Sequence, residues 1–115
     1  MTTLYGINNC DTIKKTRSLL WELAVDYEFH DYKKLGCDEA LIKKFLEHFG
    51  FKSLVNSRGT TWRKLPDAVK QNLSEASAIT IMSENNSIIK RPIIEHQGKW
   101  LLGFDKEDIQ LLVQK

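Results

Sequence analysis

The sequence has few of the residues that mark disulfide-rich, zinc-binding or membrane proteins. Its 115 residues include only two cysteines, Cys10 and Cys37, which are too few for a disulfide scaffold. The cysteines and three scattered histidines lack the short spacings of a zinc site, so we expect no bound metal. No apolar run approaches the roughly 18 residues that a membrane helix needs. Because the first residues show no secretory leader either, we expect a cytoplasmic protein without a membrane partner.

The charges are almost balanced. Seventeen Lys and Arg residues against 15 Asp and Glu residues give a formal net charge of +2, which is too small an excess to indicate a nucleic-acid partner. Hydrophobic residues make up 42% and charged residues 28%, as in a typical globular protein. The chain also has no repeat, low-complexity segment or linker. We therefore predict a single domain over residues 1–115, and we expect a monomer.

Hydrophobic periodicity predicts an α/β fold with a mixed sheet. A strand, a helix and a second strand within the first third of the chain indicate a βαβ unit, whose two strands should be parallel. The middle of the chain is predicted to be helical, and the last third to hold a hairpin and a helix. The predicted order is strand 4–7, helix 11–24, strand 27–32, a helix from the Asp38 cap to Gly50, loop 56–61, short helices opening at Pro66 and Ser74, hairpin strands 92–96 and 99–102, and a helix capped by Asp105.

Cys10 is the first candidate for chemistry. It lies between a predicted strand and the first helix, where free backbone N–H groups and the positive helix end should face its sulfur. Lys14 follows one turn later. Such a setting lowers the pKa of a thiol and populates the nucleophilic thiolate. The alternative, a small hydrophobic residue buried at a strand end, remains open from position alone.

Spacing separates the possible cysteine chemistries. Ile13 occupies the position of the second cysteine in a C-x-x-C redox pair, which excludes a self-contained dithiol. Thr16 occupies the position of the arginine in a C-x5-R phosphate loop, which disfavours a cysteine-dependent phosphatase. A Cys–His protease stays open in principle, although nothing in the sequence locates one of the three histidines near Cys10. A nucleophilic Cys10 that acts alone would need a thiol supplied from outside. Cys37 is interpreted as a structural cysteine near a turn, with a distant resolving cysteine as the alternative.

Two arginines are candidates for binding an anion. Arg58 lies in the predicted loop 56–61, and Arg91 immediately precedes Pro92 at a strand start. The planar guanidinium group suits carboxylates and oxyanions. Either arginine could equally be a solvated surface cation.

Three segments of the sequence are distinctive enough to be compared with a known family. They are YGINNCDTIKK at residues 5–15, NSRGTTWRKL at 56–65 and IKRPII at 89–94. In this order they resemble the arsenate reductase (ArsC/Spx) family, and within it the YffB-type branch. The resemblance implies a thioredoxin-like fold with a helical insertion between the second and third strands.

The resemblance also implies roles for individual residues. Cys10 matches the family's nucleophile, and the arginines that match Arg58 and Arg91 bind the oxyanion substrate or its thiolated adduct. The proline that matches Pro92 is cis and faces the cysteine. Glutathione is implied as co-substrate, with a glutaredoxin as a further partner, and no cofactor is implied as bound. The implied substrate- or glutathione-binding residues are Thr12, Lys14, Arg58, Arg91 and Pro92.

One departure from the family pattern directs the functional prediction. Arsenate reductases carry a third arginine on the last strand, where this chain has Gly103. Loss of one cation should weaken arsenate binding. The predicted function is therefore a glutathione-dependent thiol reductase in which Cys10 forms a mixed disulfide. The alternatives are a glutathione- and glutaredoxin-linked arsenate reductase and, in another class, a redox-sensing transcription regulator like Spx, whose C-x-x-C switch is interrupted here by Ile13.

Overall fold

A computed structural model describes residues 1–114 of the chain. The chain divides into two compact units. The sheet unit comprises residues 1–35 and 91–114, and the helical unit comprises residues 36–90. The single domain expected over residues 1–115 stays a prediction, and its last residue, Lys115, lies outside the described residues.

Strands lie towards both ends of the chain, and the middle of the chain is helical. In chain order they are β1 (Thr2–Gly6), α1 (Asp11–Glu22), β2 (Glu28–Asp31), α2 (Tyr32–Leu35), α3 (Glu39–Leu46), α4 (Phe51–Leu54), α5 (Thr60–Arg63), α6 (Asp67–Gln71), α7 (Glu75–Glu84), a 3-10 helix (Asn86–Ile88), β3 (Ile93–His96), β4 (Lys99–Leu102) and α8 (Lys106–Val113).

The four strands form one mixed sheet in the sheet unit, in the order β2-β1-β3-β4. β1 is parallel to β2 and antiparallel to β3, and β4 is antiparallel to β3. Leu4 at the centre of β1 is paired with Phe29 on one side and Ile94 on the other. The predicted βαβ unit, hairpin and mixed sheet are confirmed, with the helical segment inserted between β2 and β3.

The core of the sheet unit explains why α1 and α8 lie against the sheet. Buried residues of both helices form one cluster with residues of β1 and β3 because their apolar side chains recur at helical spacing. α1 ends at Glu22, two residues before the predicted end, and Ala24 has a positive φ of 55°. The cluster comprises Leu4, Ile13, Leu19, Leu20, Ile94, Ile109 and Val113.

Gly6 allows α1 to approach β1 closely. A Cβ atom built on Gly6 would lie 2.9 Å from Cγ1 of Ile13 and would overlap its Cδ1. Ile13 is fully buried, so its side chain has no free space into which it could move. The absence of a side chain at Gly6 therefore sets the spacing between the last residue of β1 and the first turn of α1.

The helical unit is organised by capped helices. The Asp38 carboxylate accepts a hydrogen bond of 2.9 Å from Leu41 N–H at the start of α3, as predicted. Ser74 caps α7 through a reciprocal bond pair with Ser77. α3 packs against α7, and Val55 forms an isolated bridge with Ile89.

Several predicted boundaries in this unit were wrong. α3 ends at Leu46 rather than near Gly50, because Glu47–Phe49 form a closing turn and Gly50 becomes the N-cap of the next helix. α5 begins at Thr60, inside the segment predicted as a loop. The four-residue helices α2 and α4 were not predicted at all, since one turn is too short to show helical periodicity.

We expect Gly6→Ala to lower the free energy of unfolding by about 1–3 kcal/mol, because the new methyl group overpacks against Ile13. The loss should be smaller in an Ile13→Val background, which lacks the nearest carbon atom. Denaturant unfolding of the single and double variants measures both effects.

Gly50→Ala is the matched control, because a Cβ atom there meets nothing within 4 Å. Its effect should stay within about 1 kcal/mol. Equal losses for Gly6→Ala and Gly50→Ala would contradict the packing argument.

Candidate active site

Cys10 is the N-cap of α1, at the end of the short turn that follows β1. Its backbone is extended, with φ −134° and ψ 127°, and its N–H donates to the Asn8 carbonyl at 2.6 Å. The Cys10 carbonyl accepts the first helical bond, from Lys14 N–H at 2.9 Å. The first-turn N–H groups have no helical partner and face the sulfur. The predicted strand, turn and helix around Cys10 are all present.

Arg91 brings a positive charge to the same sulfur. Its Nε–H donates to Cys10 Sγ at 3.4 Å, although the two residues are 81 positions apart in the chain. The contact follows from the sheet: β3 begins two residues after Arg91 and pairs with β1, where Tyr5 lies opposite Ile93. The peptide bond between Arg91 and Pro92 is cis, as the resemblance implied.

These groups change the pKa of the Cys10 thiol in opposite directions. Partial burial raises the pKa, since it disfavours the charged form. Against this, the N–H of Ile13, the hydrogen bond and charge of Arg91, and the N–H of Thr12 lower it. The lowering contributions prevail, so the pKa lies below the ordinary value of a cysteine. The site favours a thiolate on a residue that is still partly exposed.

The other predicted residues of the first turn act differently from one another. Thr12 reaches the sulfur through its N–H, while its carbonyl accepts a hydrogen bond of 2.7 Å from the Thr16 hydroxyl. The Lys14 side chain is exposed and is not among the groups that shift the Cys10 pKa. The cation at the sulfur is therefore Arg91.

Pro92 and Gly103 are joined beside this site. Pro92 is buried, and its carbonyl accepts a hydrogen bond of 2.8 Å from Gly103 N–H. Gly103 has a positive φ of 90°, a conformation that residues with a side chain rarely adopt. Position 103 thus lacks the guanidinium group expected of an arsenate reductase, and its own backbone conformation favours glycine.

Arg58 and Cys37 belong to the helical unit. Arg58 is exposed, and its N–H donates to the Asn56 side chain at 3.2 Å. Its predicted role in binding an anion stays a prediction. Cys37 is buried, and burial together with the negative charge of Asp38 raises its pKa to about 12. Cys37 is therefore a protonated thiol of low reactivity.

Two features of the site were not predicted from the sequence. Gly6 was counted only as part of a strand, although its close approach to Ile13 positions the start of α1. Arg91 was predicted to bind an external anion, whereas here it bonds the thiol itself. A glycine at the end of a strand that feeds a helix is a usable signal for the first feature, but no local pattern indicates the second.

Neither metal-binding clusters nor membrane spans are found in the described part of the chain. Within residues 1–114, no three His, Cys, Asp or Glu side chains lie together as metal ligands. None of the helices in this range is long and apolar enough to cross a membrane.

Comparison with curated proteins finds relatives over nearly the whole chain. An uncharacterised protein of Haemophilus influenzae is 42% identical over 110 residues, which cover 96% of each protein. The global transcriptional regulator Spx of Streptococcus pyogenes is 29% identical over 118 residues, covering all of this chain and 87% of the regulator.

Solved structures show the same architecture. The YffB protein matches with a TM-score of 0.93 at 42% identity, over 98% of this chain and 99% of its own. An arsenate reductase related protein from Brucella melitensis matches with a TM-score of 0.80, also at 42% identity, over 99% and 95%. A glutaredoxin from Archaeoglobus fulgidus, 19% identical, shares the fold with a TM-score of 0.51 over 99% and 86%.

These likenesses confirm a thioredoxin-like α/β fold with a mixed sheet and a helical insertion between the second and third strands. The model of the ArsC family matches residues 5–112, which include Cys10, Arg58 and Arg91. The chain belongs to the ArsC family.

Proposed function

We propose that the protein is a thiol-based reductase in which Cys10 is the nucleophile and glutathione is the external thiol. The observation that carries the proposal is the Cys10 sulfur, held at the start of α1 with Arg91 Nε–H 3.4 Å away. A thiolate stabilised in this way can attack an oxidised sulfur. Family membership and the likeness to a protein named as arsenate reductase related support a reductase of this kind.

The proposed reaction has two thiol–disulfide exchanges. The Cys10 thiolate attacks one sulfur of a disulfide substrate, which forms a mixed disulfide and releases the other sulfur as a thiolate that takes a proton from water. A glutathione thiolate then attacks the mixed disulfide and regenerates the Cys10 thiolate. When the group carried by Cys10 is glutathionyl, this second step releases oxidised glutathione.

The need for an external thiol follows from the residues that could have supplied an internal one. Position 13 holds a fully buried isoleucine in the core of the sheet unit, so a C-x-x-C pair is absent. Cys37 is buried, and its raised pKa of about 12 leaves little thiolate. Neither residue is suited to resolve a disulfide on Cys10.

The remaining predicted site residues have proposed binding roles. Arg91 would hold Cys10 as a thiolate and then, once the sulfur is bonded, turn its guanidinium to a carboxylate or oxyanion of the bound group. Arg58 would bind the same anion, as the family resemblance implies. The Thr12 backbone, Lys14 and the cis Pro92 would complete the substrate- or glutathione-binding surface.

Arsenate reduction and Spx-like regulation are the alternatives. Gly103 supplies no guanidinium, and its φ of 90° disfavours any residue with a side chain at that position, which argues against arsenate as the substrate. The buried Ile13 argues against a dithiol switch of the Spx kind. A reductase that uses one thiol requires neither an arginine at position 103 nor a cysteine at position 13.

Oxidised glutathione should modify the native protein once, on Cys10, and a glutaredoxin with reduced glutathione should remove the adduct. Cys10→Ser should lose the adduct and reductase activity to background, because no other reactive thiolate is present among the described residues. Intact-mass spectrometry with peptide mapping measures the adduct.

Cys37→Ala is the matched control and should retain both the adduct and the activity. An adduct found only on Cys37, or full reductase activity of Cys10→Ser, would contradict the proposal.

Arg91→Gln should raise the pKa of Cys10, because it removes the positive charge beside the sulfur. The pH dependence of Cys10 alkylation by iodoacetamide should move to higher pH, since the thiolate is the reacting form. Arg63→Gln, at an exposed position whose charge is not among the groups that shift the Cys10 pKa, should leave the profile unchanged. A profile that is the same in the wild type and Arg91→Gln would show that Arg91 does not stabilise the thiolate.

A further inference from the structure

A positively charged groove lies on the sheet unit between α1 and the segment that joins β4 to α8. Its volume is about 360 Å³. Lys14 and Lys15 of α1 lie on one side, and Phe104 and Lys106 lie on the other. Glu22, at the end of α1, is the one acidic residue among the side chains that line it. Three cations therefore face one anion around a concave surface that also carries an aromatic ring.

The groove is connected to the candidate active site on both sides. Lys14 lies one helical turn after Cys10, roughly 6 Å along the axis, and its N–H bonds the Cys10 carbonyl. On the other side, Phe104 follows Gly103, whose N–H bonds the Pro92 carbonyl at 2.8 Å. Pro92 in turn follows Arg91, which bonds the Cys10 sulfur. Two residues that line the groove, Lys14 and Phe104, are thus one helical turn from Cys10 and one residue from the Gly103 that bonds Pro92, respectively.

The side chains around the groove define what could bind there. Lys14, Lys15 and Lys106 are exposed, so their ammonium groups are available to an incoming carboxylate. Phe104 is 38% exposed, which is unusual for a phenylalanine and leaves a ring face for aliphatic atoms. A short ligand with carboxylates at its ends and an apolar stem matches this arrangement.

We infer that this groove holds the peptide part of a glutathionyl group bonded to Cys10, and that it selects anionic disulfides over neutral and cationic ones. The inference rests on the proposed function of Cys10. Glutathione carries two carboxylates and one ammonium group, so its net charge is opposite to that of the groove. The lysines bind the carboxylate that Arg91 does not hold, and Phe104 packs against the peptide stem.

The step that the groove assists is the first thiol–disulfide exchange. The Cys10 thiolate attacks one sulfur of oxidised glutathione, so the Cys10–glutathionyl bond forms as the bond between the two glutathione sulfurs breaks. The departing glutathione leaves as a thiolate and takes a proton from water. Cys10 is oxidised and the departing glutathione is reduced. Favourable charges in the groove raise the rate of this step by holding the attacked half of the disulfide beside the sulfur.

The test compares three disulfides that differ in charge: oxidised glutathione, the neutral bis(2-hydroxyethyl) disulfide and the cationic cystamine. The rate at which each modifies Cys10 is measured by quenched intact-mass spectrometry. The readout is the ratio of the glutathione rate to the neutral rate, which cancels changes in the reactivity of the sulfur itself. Wild type, Lys14→Gln, Lys106→Gln and the charge-reversed pair Lys14→Glu with Lys106→Glu are compared.

Each glutamine variant should lower the ratio by about two- to fivefold, the range expected for loss of one exposed ion pair. The charge-reversed pair should react faster with cystamine than with oxidised glutathione. Lys14→Arg and Lys106→Arg should keep the wild-type ratio, since the positive charge is kept. Lys43→Gln, an exposed lysine on α3 of the helical unit, should leave the ratio unchanged.

The assignment of the groove as the binding site is contradicted if the ratio stays the same in Lys14→Gln and Lys106→Gln. It is also contradicted if Lys43→Gln lowers the ratio equally. Failure of the proposed function gives a different result. In that case wild-type Cys10 reacts with none of the three disulfides. This result would contradict both the role of Cys10 as nucleophile and the role of the groove in binding.

Discussion

The contact between the Arg91 guanidinium and the Cys10 sulfur is the interaction on which the site depends. It joins two residues that are 81 positions apart, and the sheet makes it possible. β1 leads into the turn that ends at Cys10, while β3, its antiparallel neighbour, begins two residues after Arg91. The pairing of Tyr5 with Ile93 places the last residues of β1 beside the first residues of β3, at the same end of the sheet. The contact between Arg91 and Cys10 therefore depends on the pairing of β1 with β3.

The reactivity of Cys10 reflects a competition between burial and charge. Partial burial opposes ionisation, and the N–H groups of the first helical turn together with Arg91 favour it. Cys37 shows the other outcome in the same chain, since burial and the neighbouring Asp38 raise its pKa to about 12. Two identical side chains thus differ in reactivity because one has hydrogen-bond donors and a cation beside its sulfur, whereas the other is buried and has an acidic neighbour.

Local signals in the sequence predicted more of the fold than of the site. Asp38 and Asp105 cap their helices as expected, because an N-cap is decided within four residues. The early end of α3 and the helix at Thr60 were not predicted, because a local turn closes α3 before Gly50 and the four residues of α5 are too few to show helical periodicity. At the site, the setting of Cys10 followed from a strand, a turn and a helix. The bond from Arg91 did not, because it requires the β1–β3 pairing, and the role of Gly6 required the buried position of Ile13.

The central claim is that the fold holds Cys10 as a stabilised thiolate. Its most direct test is a titration of thiolate ultraviolet absorbance in the Cys37→Ala variant, in which Cys10 is the only cysteine. The midpoint should lie below that of an ordinary cysteine thiol, because Ile13 N–H, Arg91 and Thr12 N–H outweigh the effect of burial. The signal should disappear in the variant that also carries Cys10→Ser. A midpoint at or above the ordinary value would contradict the account, since burial would then prevail at the sulfur.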